Sequence, residues 1–452
     1  MNKKNIYETK SISELIVLFS FPTICSLVLE SLTSMVDTAF AGHLRNIGDK
    51  ALAAMGIINP ILLLLIAAQL IFGVSTSIVI SKRLGENNQE KINNTFKVGF
   101  YACFISSFII SLLIFLFENS LLRILGAEGE VFILSKEFLN IAVIFNVFSS
   151  MGYMLLNNIR AFGYPKIEVM VGVSATIINI VFNVIFTFVL DMGMKGIALS
   201  TLISEIYYFL FSTIFLIRKG LWFKKGKVDL NESKEILISI VKIGFVQFLM
   251  QSLNSISTFI INKVLILYGS VLYVGAWSIC SNINMIILLP LIGLTQGVQS
   301  IVAYFHSKEN KTKERKVKNK VLQYSLIYSI SVMLIIFIFA PTVLKIFTND
   351  KGLLEVSKPI IKIVVGGFPF LGLLYAVITF MQVSGKEDDA TKLELMRQVV
   401  LSIPLVIIFP RIFLKYNIFN ISPQLSVFLA VPLSIILLLI IYFKKIKDVI
   451  KD

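Results

Sequence analysis

Long apolar runs without charged side chains recur along the whole sequence. Residues 98–117, 169–190, 321–344 and 424–443 each contain twenty or more positions without Asp, Glu, Lys or Arg. About twenty residues, rising 1.5 Å each in a helix, cross a hydrocarbon core of roughly 30 Å. These runs lack the polar alternation of barrel strands. The pattern therefore predicts membrane-spanning helices.

The apolar pattern divides the chain into twelve predicted spans, six on each side of a basic stretch. Because only helices and closed barrels satisfy their backbone groups within lipid, we expect an all-α integral membrane protein with about twelve transmembrane helices. The predicted organisation is an N-terminal six-helix lobe, 1–217, a cytoplasmic basic linker, 218–235, and a C-terminal six-helix lobe, 236–452. The predicted spans lie near residues 14–40, 51–81, 94–118, 132–160, 166–190, 196–217, 236–268, 271–305, 319–347, 356–384, 388–413 and 423–443.

The two halves of the sequence resemble each other when the first is shifted by 222 residues. This shift sets residues 85–88 against residues 307–310, and it pairs Gly163 with Gly385. A unit of six helices returns the chain to the side of the membrane where it began. We therefore expect two parallel repeats related by an axis along the membrane normal, with a substrate path between them, as in many transporters.

Basic residues are concentrated on one side of the predicted spans. If both termini are cytoplasmic, the inside segments contain 28 of the 42 Lys and Arg residues and the outside segments contain ten. By the positive-inside rule, this distribution orients a multi-pass protein in a plasma (inner) membrane. We attribute the net charge of +15 to contact with anionic lipid. The expected partners are the bilayer and a small amphiphilic or cationic substrate, with no nucleic acid, and we expect a monomer.

The sequence contains no recognisable catalytic or cofactor motif. Its two histidines are His43 and His306, and its three cysteines, Cys25, Cys103 and Cys280, fall within predicted spans without a CxxC spacing. No Walker A motif is present to bind the phosphates of ATP. We therefore expect neither an enzyme nor a bound cofactor, and no metal beyond a transiently bound Na⁺.

Three carboxylates within the apolar spans are candidate functional residues. A charged side chain at the centre of a membrane helix costs about 2.5–3.5 kcal/mol on insertion scales, so it is expected to face the bundle interior or a cavity. Glu30 and Asp37 lie seven residues apart on one face of the first span, and Glu205 lies in the sixth. For Asp37 the alternative is a solvated residue at a helix end. For Glu205 functional and structural roles are equally open.

Two amides and one proline complete the set of candidates. Asn179 and Asn183 are four residues apart and share one face of the fifth span. Their amides can supply oxygen ligands to a cation or donors to a carboxylate, and hydrogen bonding between helices is the alternative. Pro22 removes a backbone hydrogen bond from the helix that carries Glu30 and Asp37, so it is the candidate hinge.

Seven local strings occur in order across almost the whole chain and together form a family signature. They are MVDTAFAGHL at 35–44, SKRLGENN at 81–88, NIRAFGYPK at 158–166, MGMKGIALST at 192–201, LIGLTQGVQ at 291–299, QVSGK at 382–386 and RQVVLSIPL at 397–405. In these strings the chain resembles the prokaryotic branch of the multidrug and toxic compound extrusion (MATE) transporters.

This resemblance implies a coupling site in the N-terminal lobe, driven by a proton or sodium gradient with alternating access to a central cleft. The site would be built around Asp37, with Asn179, Asn183 and Thr201 as its polar neighbours. Members of the branch often carry an aspartate at position 183, and position 30 is usually apolar. We therefore hypothesise that Glu30 supplies the missing carboxylate, either for coupling or for holding a cationic substrate.

The leading functional hypothesis is a secondary active antiporter that exports organic cations or amphiphilic drugs and toxins in exchange for H⁺ or Na⁺. A flippase for lipid-linked glycans or lipids is the alternative within the same superfamily, although basic residues within spans are scarce and Arg397 is the clearest. A channel or a structural membrane protein is the alternative from another class. At the 222-residue offset, Asp37 and Asn183 correspond to Phe259 and Leu405, so we expect the cation chemistry in the N-terminal lobe alone.

Overall fold

The computed structural model describes residues 6–45, 47–224, 226, 228–268, 271–348, 350–416 and 421–451. These residues form sixteen α-helices, and π-helical segments follow two of them at Ile185–Val189 and Met396–Ser402. In chain order the α-helices are α1 (Ile6–Thr9), α2 (Ile12–Gly42), α3 (Gly48–Gly85), α4 (Gln89–Ile124), α5 (Gly129–Ala161), α6 (Pro165–Val184), α7 (Gly193–Arg218), α8 (Leu230–Tyr268), α9 (Val271–Ser307), α10 (Lys311–Lys345), α11 (Lys351–Gly366), α12 (Phe368–Val383), α13 (Glu387–Leu395), α14 (Ile403–Tyr416), α15 (Pro423–Ile441) and α16 (Phe443–Lys451).

Within the described residues, eleven helical segments are long and apolar enough to cross a membrane, and a bent pair makes a twelfth. The pair is α11 and α12, which meet at 41° around Gly367. Pro369 lies in the first turn of α12. Backbone N–H groups there have no acceptor within the helix, so a proline removes no helical hydrogen bond. A side chain at Gly367 would meet Pro432 at 2.8 Å. The all-α membrane fold with about twelve spans is confirmed, but the span predicted at 356–384 is bent.

The chain divides into two compact units. The first unit contains residues 1–10 and 21–248, and the second contains residues 11–20 and 249–452. Helix α2 therefore belongs to both units, and the change falls one residue before Pro22. The predicted lobe boundaries at 217 and 236 stay predictions, and Lys225 and Lys227 of the predicted linker lie outside the described residues.

The 222-residue repeat is visible in the backbone where consecutive helices meet. Positions that need an unusual conformation or a helix cap recur at this offset, although the residue types differ in one case. Two pairs have positive φ, Asn87 with Glu309 (56° and 58°) and Gly163 with Gly385 (90° and 76°). The third pair is Asn88 and Asn310, whose side chains cap α4 and α10. Each accepts a hydrogen bond from a backbone N–H group, that of Lys91 in α4 and that of Lys313 in α10. Because these are local backbone geometries, they support the duplication independently of the apolar pattern.

Helix α5 is central to the first unit. It packs against α3, α4 and α7, while α6 packs against α7. Two side-chain hydrogen bonds join α2 to α6 at successive levels, from Thr23 to Glu168 and between Thr33 and Thr176 (3.2 Å). Helices α2, α6 and α7 are thereby held side by side, and their shared interior contains the candidate site.

The segment after α7 is held against α4 by aromatic side chains. The rings of Trp222 and Phe223 lie 5.5 and 5.3 Å from the ring of Phe96, and both also contact Phe100. Aromatic rings at such centroid distances pack favourably in tilted and edge-on arrangements. This part of the predicted basic linker is therefore attached to the first unit.

Candidate functional site

Asp37 is held between α6 and α7 by two hydrogen bonds. Asn183 Nδ2 donates to Asp37 Oδ1 at 2.8 Å, and Thr201 Oγ1 donates to Asp37 Oδ2 at 2.9 Å. The Asp37 side chain is 6% exposed. Asp37 shares a face of α2 with Thr33, which lies one turn earlier and hydrogen-bonds to α6. Helix α2 therefore brings the Asp37 carboxylate to α6.

Asn179 closes the network into a ring of four polar residues. Its Oδ1 accepts a hydrogen bond from Asn183 Nδ2 at 3.0 Å, and its Nδ2 donates to Thr201 Oγ1 at 3.3 Å. Asn179 and Asn183 are both fully buried. The structure therefore brings together Asp37, Asn179, Asn183 and Thr201, the four residues that the resemblance placed in one coupling site.

Glu30 lies two turns before Asp37 on the same face of α2, and its side chain is exposed. Among the described residues it forms neither an ion pair nor a hydrogen bond. Glu205 lies one turn after Thr201 on α7 and is half-buried. Its carboxylate lies near enough to Ser149 of α5, Glu30 and Asp37 to interact with them electrostatically. The two glutamates thus lie near the ring of four but outside it.

Pro22 is buried inside α2, next to the point where the helix passes from one unit to the other. The following residue, Thr23, donates to Glu168 of α6 at 3.3 Å and accepts from Arg160 of α5 at 2.6 Å. The helix is therefore fixed to the first unit directly after the proline. This placement agrees with a hinge, although the movement itself stays a prediction.

A buried ion pair near Pro22 was not predicted from the sequence. Arg160 Nη1 lies 3.0 Å from Glu168 Oε1, with side-chain exposures of 1% and 7%, and Arg160 also donates to Asn157 Oδ1. In the sequence, Arg160 was counted among the basic residues of the inside segments. The sequence feature that could have indicated this ion pair is the spacing of Arg160 and Glu168, which lie on either side of one tight turn between two helices.

A second buried polar cluster lies in the second unit; the sequence placed Arg397 within a span but did not predict its partners. Arg397 donates to Glu394 Oε1 at 2.5 Å and to Oε2 at 3.2 Å. The neighbouring Gln398 amide lies 2.6 Å from Asn254 Oδ1 and 2.9 Å from Ser257 Oγ. Here Arg397 is paired with Glu394, three residues earlier in the chain, so the cluster differs from the carboxylate of Asp37, which has no cationic partner among the described residues.

Together, the twelve-span architecture and the buried carboxylate with neutral donors define an integral membrane transport protein. Residues 22–185 and 243–408 match the family model described as MatE. The chain belongs to this family, which confirms the resemblance seen in its local strings. The two matched segments begin and end close to the 222-residue offset, so the family match also follows the internal repeat.

Relatives and solved structures of similar architecture cover nearly the whole chain. It is 24% identical over 408 residues to the multidrug export protein MepA of Staphylococcus saprophyticus, covering 90% of this chain and 89% of that protein. It is 25% identical over 409 residues to MepA of Staphylococcus aureus, with the same coverage of 90% and 89%. A MOP superfamily transporter from Pyrococcus furiosus aligns with a TM-score of 0.86 at 21% identity over 100% of both chains. A MATE transporter of Vibrio cholerae, VcmN, aligns with a TM-score of 0.87 at 19% identity over 97% of this chain and 96% of that chain.

Proposed function

We propose that this protein is a secondary active antiporter that exports an organic cation or amphiphilic drug in exchange for H⁺ or Na⁺. The observation that carries the proposal is the buried carboxylate of Asp37. It receives hydrogen bonds from two neutral side chains and, within the described part of the chain, has no cationic partner. Cation coupling would occur at this residue.

The ring of four residues is suited to one monovalent cation. Ionised Asp37 leaves one uncompensated negative charge in the bundle interior, where an unpaired charge is costly. One Na⁺ or one proton removes that charge. Carboxylate, amide and hydroxyl oxygens, which all occur in the ring, are the ligands that hard cations prefer.

Thr201 can respond to protonation of Asp37. Its hydroxyl donates to Asp37 Oδ2 and also lies 3.3 Å from the backbone oxygen of Ile197, a second acceptor. Because a hydroxyl both donates and accepts, it can turn to accept a hydrogen bond from protonated Asp37. The ring would then bind either form of the carboxylate without an unpaired hydrogen.

Coupling requires that ion binding favour one conformation of the transporter over the other. Helix α2 carries Asp37 and also contains Pro22 at the boundary of the two units. A change of charge at Asp37 alters how α2 is held by α6 and α7. We propose that α2 transmits this change, with Pro22 as the hinge.

The substrate class is inferred from the relatives together with the charges of the first unit. The Staphylococcus relatives are multidrug export proteins, and the candidate carboxylates Glu30, Asp37 and Glu205 lie within the first unit's spans. Arg160 and Arg397 are each paired with a glutamate, so neither offers a free cation for a lipid-linked phosphate. These pairings favour the antiporter over the flippase, and we propose a transporter that needs no bound cofactor.

The orientation and assembly state belong to the same proposal. The excess of basic residues in alternate segments supports cytoplasmic termini in a prokaryotic plasma membrane. The proposed protein functions as a monomer, since the coupling site is complete within one unit of one chain.

The proposal is tested by reconstituting the purified protein in vesicles with an imposed pH or sodium gradient and a fluorescent organic cation. An antiporter moves the dye against its own gradient when one of the two ions flows the opposite way, and its flux saturates. Flux that is non-saturable and independent of both gradients would instead favour a channel.

A further inference from the structure

The first and fifth spans of each repeat are joined by polar side chains at matching positions. In the first unit, Thr33 of α2 is hydrogen-bonded to Thr176 of α6 at 3.2 Å. In the second unit, Ser257 of α8 lies 2.9 Å from the side-chain amide of Gln398. Gln398 comes 222 residues after Thr176. The two repeats therefore share a polar contact between these spans, although its chemistry differs.

In the second unit this contact continues into a buried ion pair. Arg397, the neighbour of Gln398, donates from Nη2 to Glu394 Oε1 at 2.5 Å and from Nε to Oε2 at 3.2 Å. The side chains of Arg397 and Glu394 are 7% and 0% exposed. A guanidinium that binds both oxygens of one carboxylate forms a stronger contact than neutral hydrogen bonds do. Glu394 is thus a buried carboxylate within a span, as Asp37 is, but it has a cationic partner.

Gln398 holds the other edge of the guanidinium. With its amide oxygen oriented toward Arg397, that oxygen lies 2.7 Å from Nη2 and 3.2 Å from Nη1, and the amide nitrogen lies 2.9 Å from Ser257 Oγ. Arg397 and Gln398 both belong to the π-helical segment Met396–Ser402. Such segments are frequent at functional sites. Arg397 is therefore fixed in place by Glu394 on one side and by Gln398 on the other.

Among the described residues, the helices packed against this ion pair bring no other buried charge to it. Helices α12 and α15 contact α13 and the π-helical segment, and neither contains a charged residue. Tyr375 of α12 lies near enough to interact with both partners, but a tyrosine is ordinarily neutral near pH 7. The basic residues Lys263 of α8, Lys392 of α13, and Arg411 and Lys415 of α14 are exposed. The charges of Arg397 and Glu394 therefore balance each other.

This balance differs from the charge state of Asp37. Asp37 accepts hydrogen bonds from two neutral side chains and has no cationic partner in the described part of the chain. An ion from solution must therefore neutralise it. Arginine stays protonated in proteins, so its guanidinium is a permanent cation. Glu394 is neutralised by the chain itself and needs no ion from solution.

We propose that Arg397 is a fixed counter-ion that takes the place of an exchangeable cation at Glu394 and thereby confines ion coupling to the first unit. This inference rests on the proposed antiport function and specifies which buried carboxylates take part in it. Arg397 acts through Glu394, so it is a positioning residue. Without its charge, Glu394 would need a cation from solution in addition to the one at Asp37.

The test is the coupling ratio of the full-length protein in vesicles, measured as the ion gradient that balances a known gradient of a fluorescent organic cation. Arg397→Gln should raise this ratio by about one ion per substrate, because Glu394 then requires an ion from solution. Arg397→Lys keeps the positive charge and should keep the ratio. Arg411→Gln is the matched control, because it removes an arginine at an exposed position of the same unit.

Arg397→Gln combined with Glu394→Gln tests the inference even where the single variant does not fold. A buried ion pair can often be replaced by neutral side chains without loss of stability, so the double variant should fold and keep the ratio of the unchanged protein. A different ratio in the double variant would overturn the inference, because the pair would then itself take part in ion exchange. An unchanged ratio in folded Arg397→Gln would overturn it as well.

Infrared spectroscopy separates this inference from the antiport proposal, because it requires no transport. In buffer without Na⁺ at neutral pH, Arg397→Gln should show the band of a protonated carboxylic acid that is missing from the double variant. Folded Arg397→Gln without this band would overturn the inference. A protein in which the band appears, but whose unchanged form shows no gradient-driven efflux, would refute antiport and still support Arg397 as the counter-ion of Glu394.

Discussion

The side-chain nitrogen of Asn183 lies 2.8 Å from Asp37 Oδ1 and donates a hydrogen bond to it. The same nitrogen donates to Asn179 Oδ1 at 3.0 Å, so both amide hydrogens are used and the orientation of the amide is determined. An aspartate at position 183 has no such hydrogens when ionised. The neutral amide therefore supplies a donor to Asp37 that an ionised aspartate at this position would lack.

Replacing Asn183 by aspartate should change the coupling ratio. Two carboxylates within hydrogen-bonding distance cannot both be ionised without a further cation. We expect Asn183→Asp to raise the number of ions exchanged per substrate by about one, because the added charge must also be neutralised. The ratio is measured in vesicles by finding the ion gradient that balances a known substrate gradient.

A matched variant for that measurement is Asn119→Asp, which adds the same charge at an exposed position beside Lys136. It should leave the coupling ratio unchanged. An unaltered ratio in a folded Asn183→Asp protein would show that position 183 is outside the coupling site.

The Arg160–Glu168 ion pair should contribute strongly to stability because both partners are buried. Arg160→Met leaves Glu168 as an uncompensated buried charge, and we expect a loss of about 3–5 kcal/mol in the free energy of unfolding. Denaturant titration in detergent measures this loss. Arg160→Met combined with Glu168→Gln should recover a large part of it, since no unpaired charge remains.

The exposed pair of Lys50 and Glu130 provides the comparison, with side-chain exposures of 51% and 47%. Lys50→Met should cost less than about 1 kcal/mol, because water screens that pair. Similar losses for Arg160→Met and Lys50→Met would contradict the buried role of Arg160.

The repeated glycines Gly163 and Gly385 should differ in their tolerance of alanine. Both have positive φ, at 90° and 76°, so alanine is strained at each by about 1–2 kcal/mol. At Gly163 an added Cβ would also meet Ile6 Cγ2 at 2.8 Å, whereas at Gly385 nothing lies within 4 Å. Gly163→Ala should therefore reduce the free energy of unfolding more than Gly385→Ala. Equal losses would mean that Ile6 moves aside freely.

The membrane fold was predictable because its constraints act on sequence directly. A span must be long and apolar, and basic residues mark the cytoplasmic ends. Within one predicted span the pattern was insufficient, since Gly367 and Pro369 bend α11 relative to α12 while the hydropathy stays high. The apolar pattern indicates which residues lie within the membrane, but it contains little information about where a helix bends.

The candidate site was predictable only where a residue is costly in lipid. Asp37 was evident for that reason, and the resemblance supplied Asn179, Asn183 and Thr201. The buried Arg160 was not found, because a charge beside a turn looks the same in sequence whether it is solvated or paired. Pairing depends on how helices distant in sequence pack together, as with Thr23 and Glu168.

The most direct test of the central claim is gradient-driven efflux by Asp37→Asn in vesicles. This change removes the negative charge but keeps the size and polarity of the side chain, and Asn183 and Thr201 remain available to hydrogen-bond it. Asp49→Asn is the matched control, because Asp49 is an exposed acid in the first turn of α3.

We predict that Asp37→Asn abolishes concentrative efflux under both pH and sodium gradients, while the protein still folds and Asp49→Asn transports normally. Efflux against a substrate gradient that persists in Asp37→Asn, with its ion dependence unchanged, would contradict coupling at Asp37.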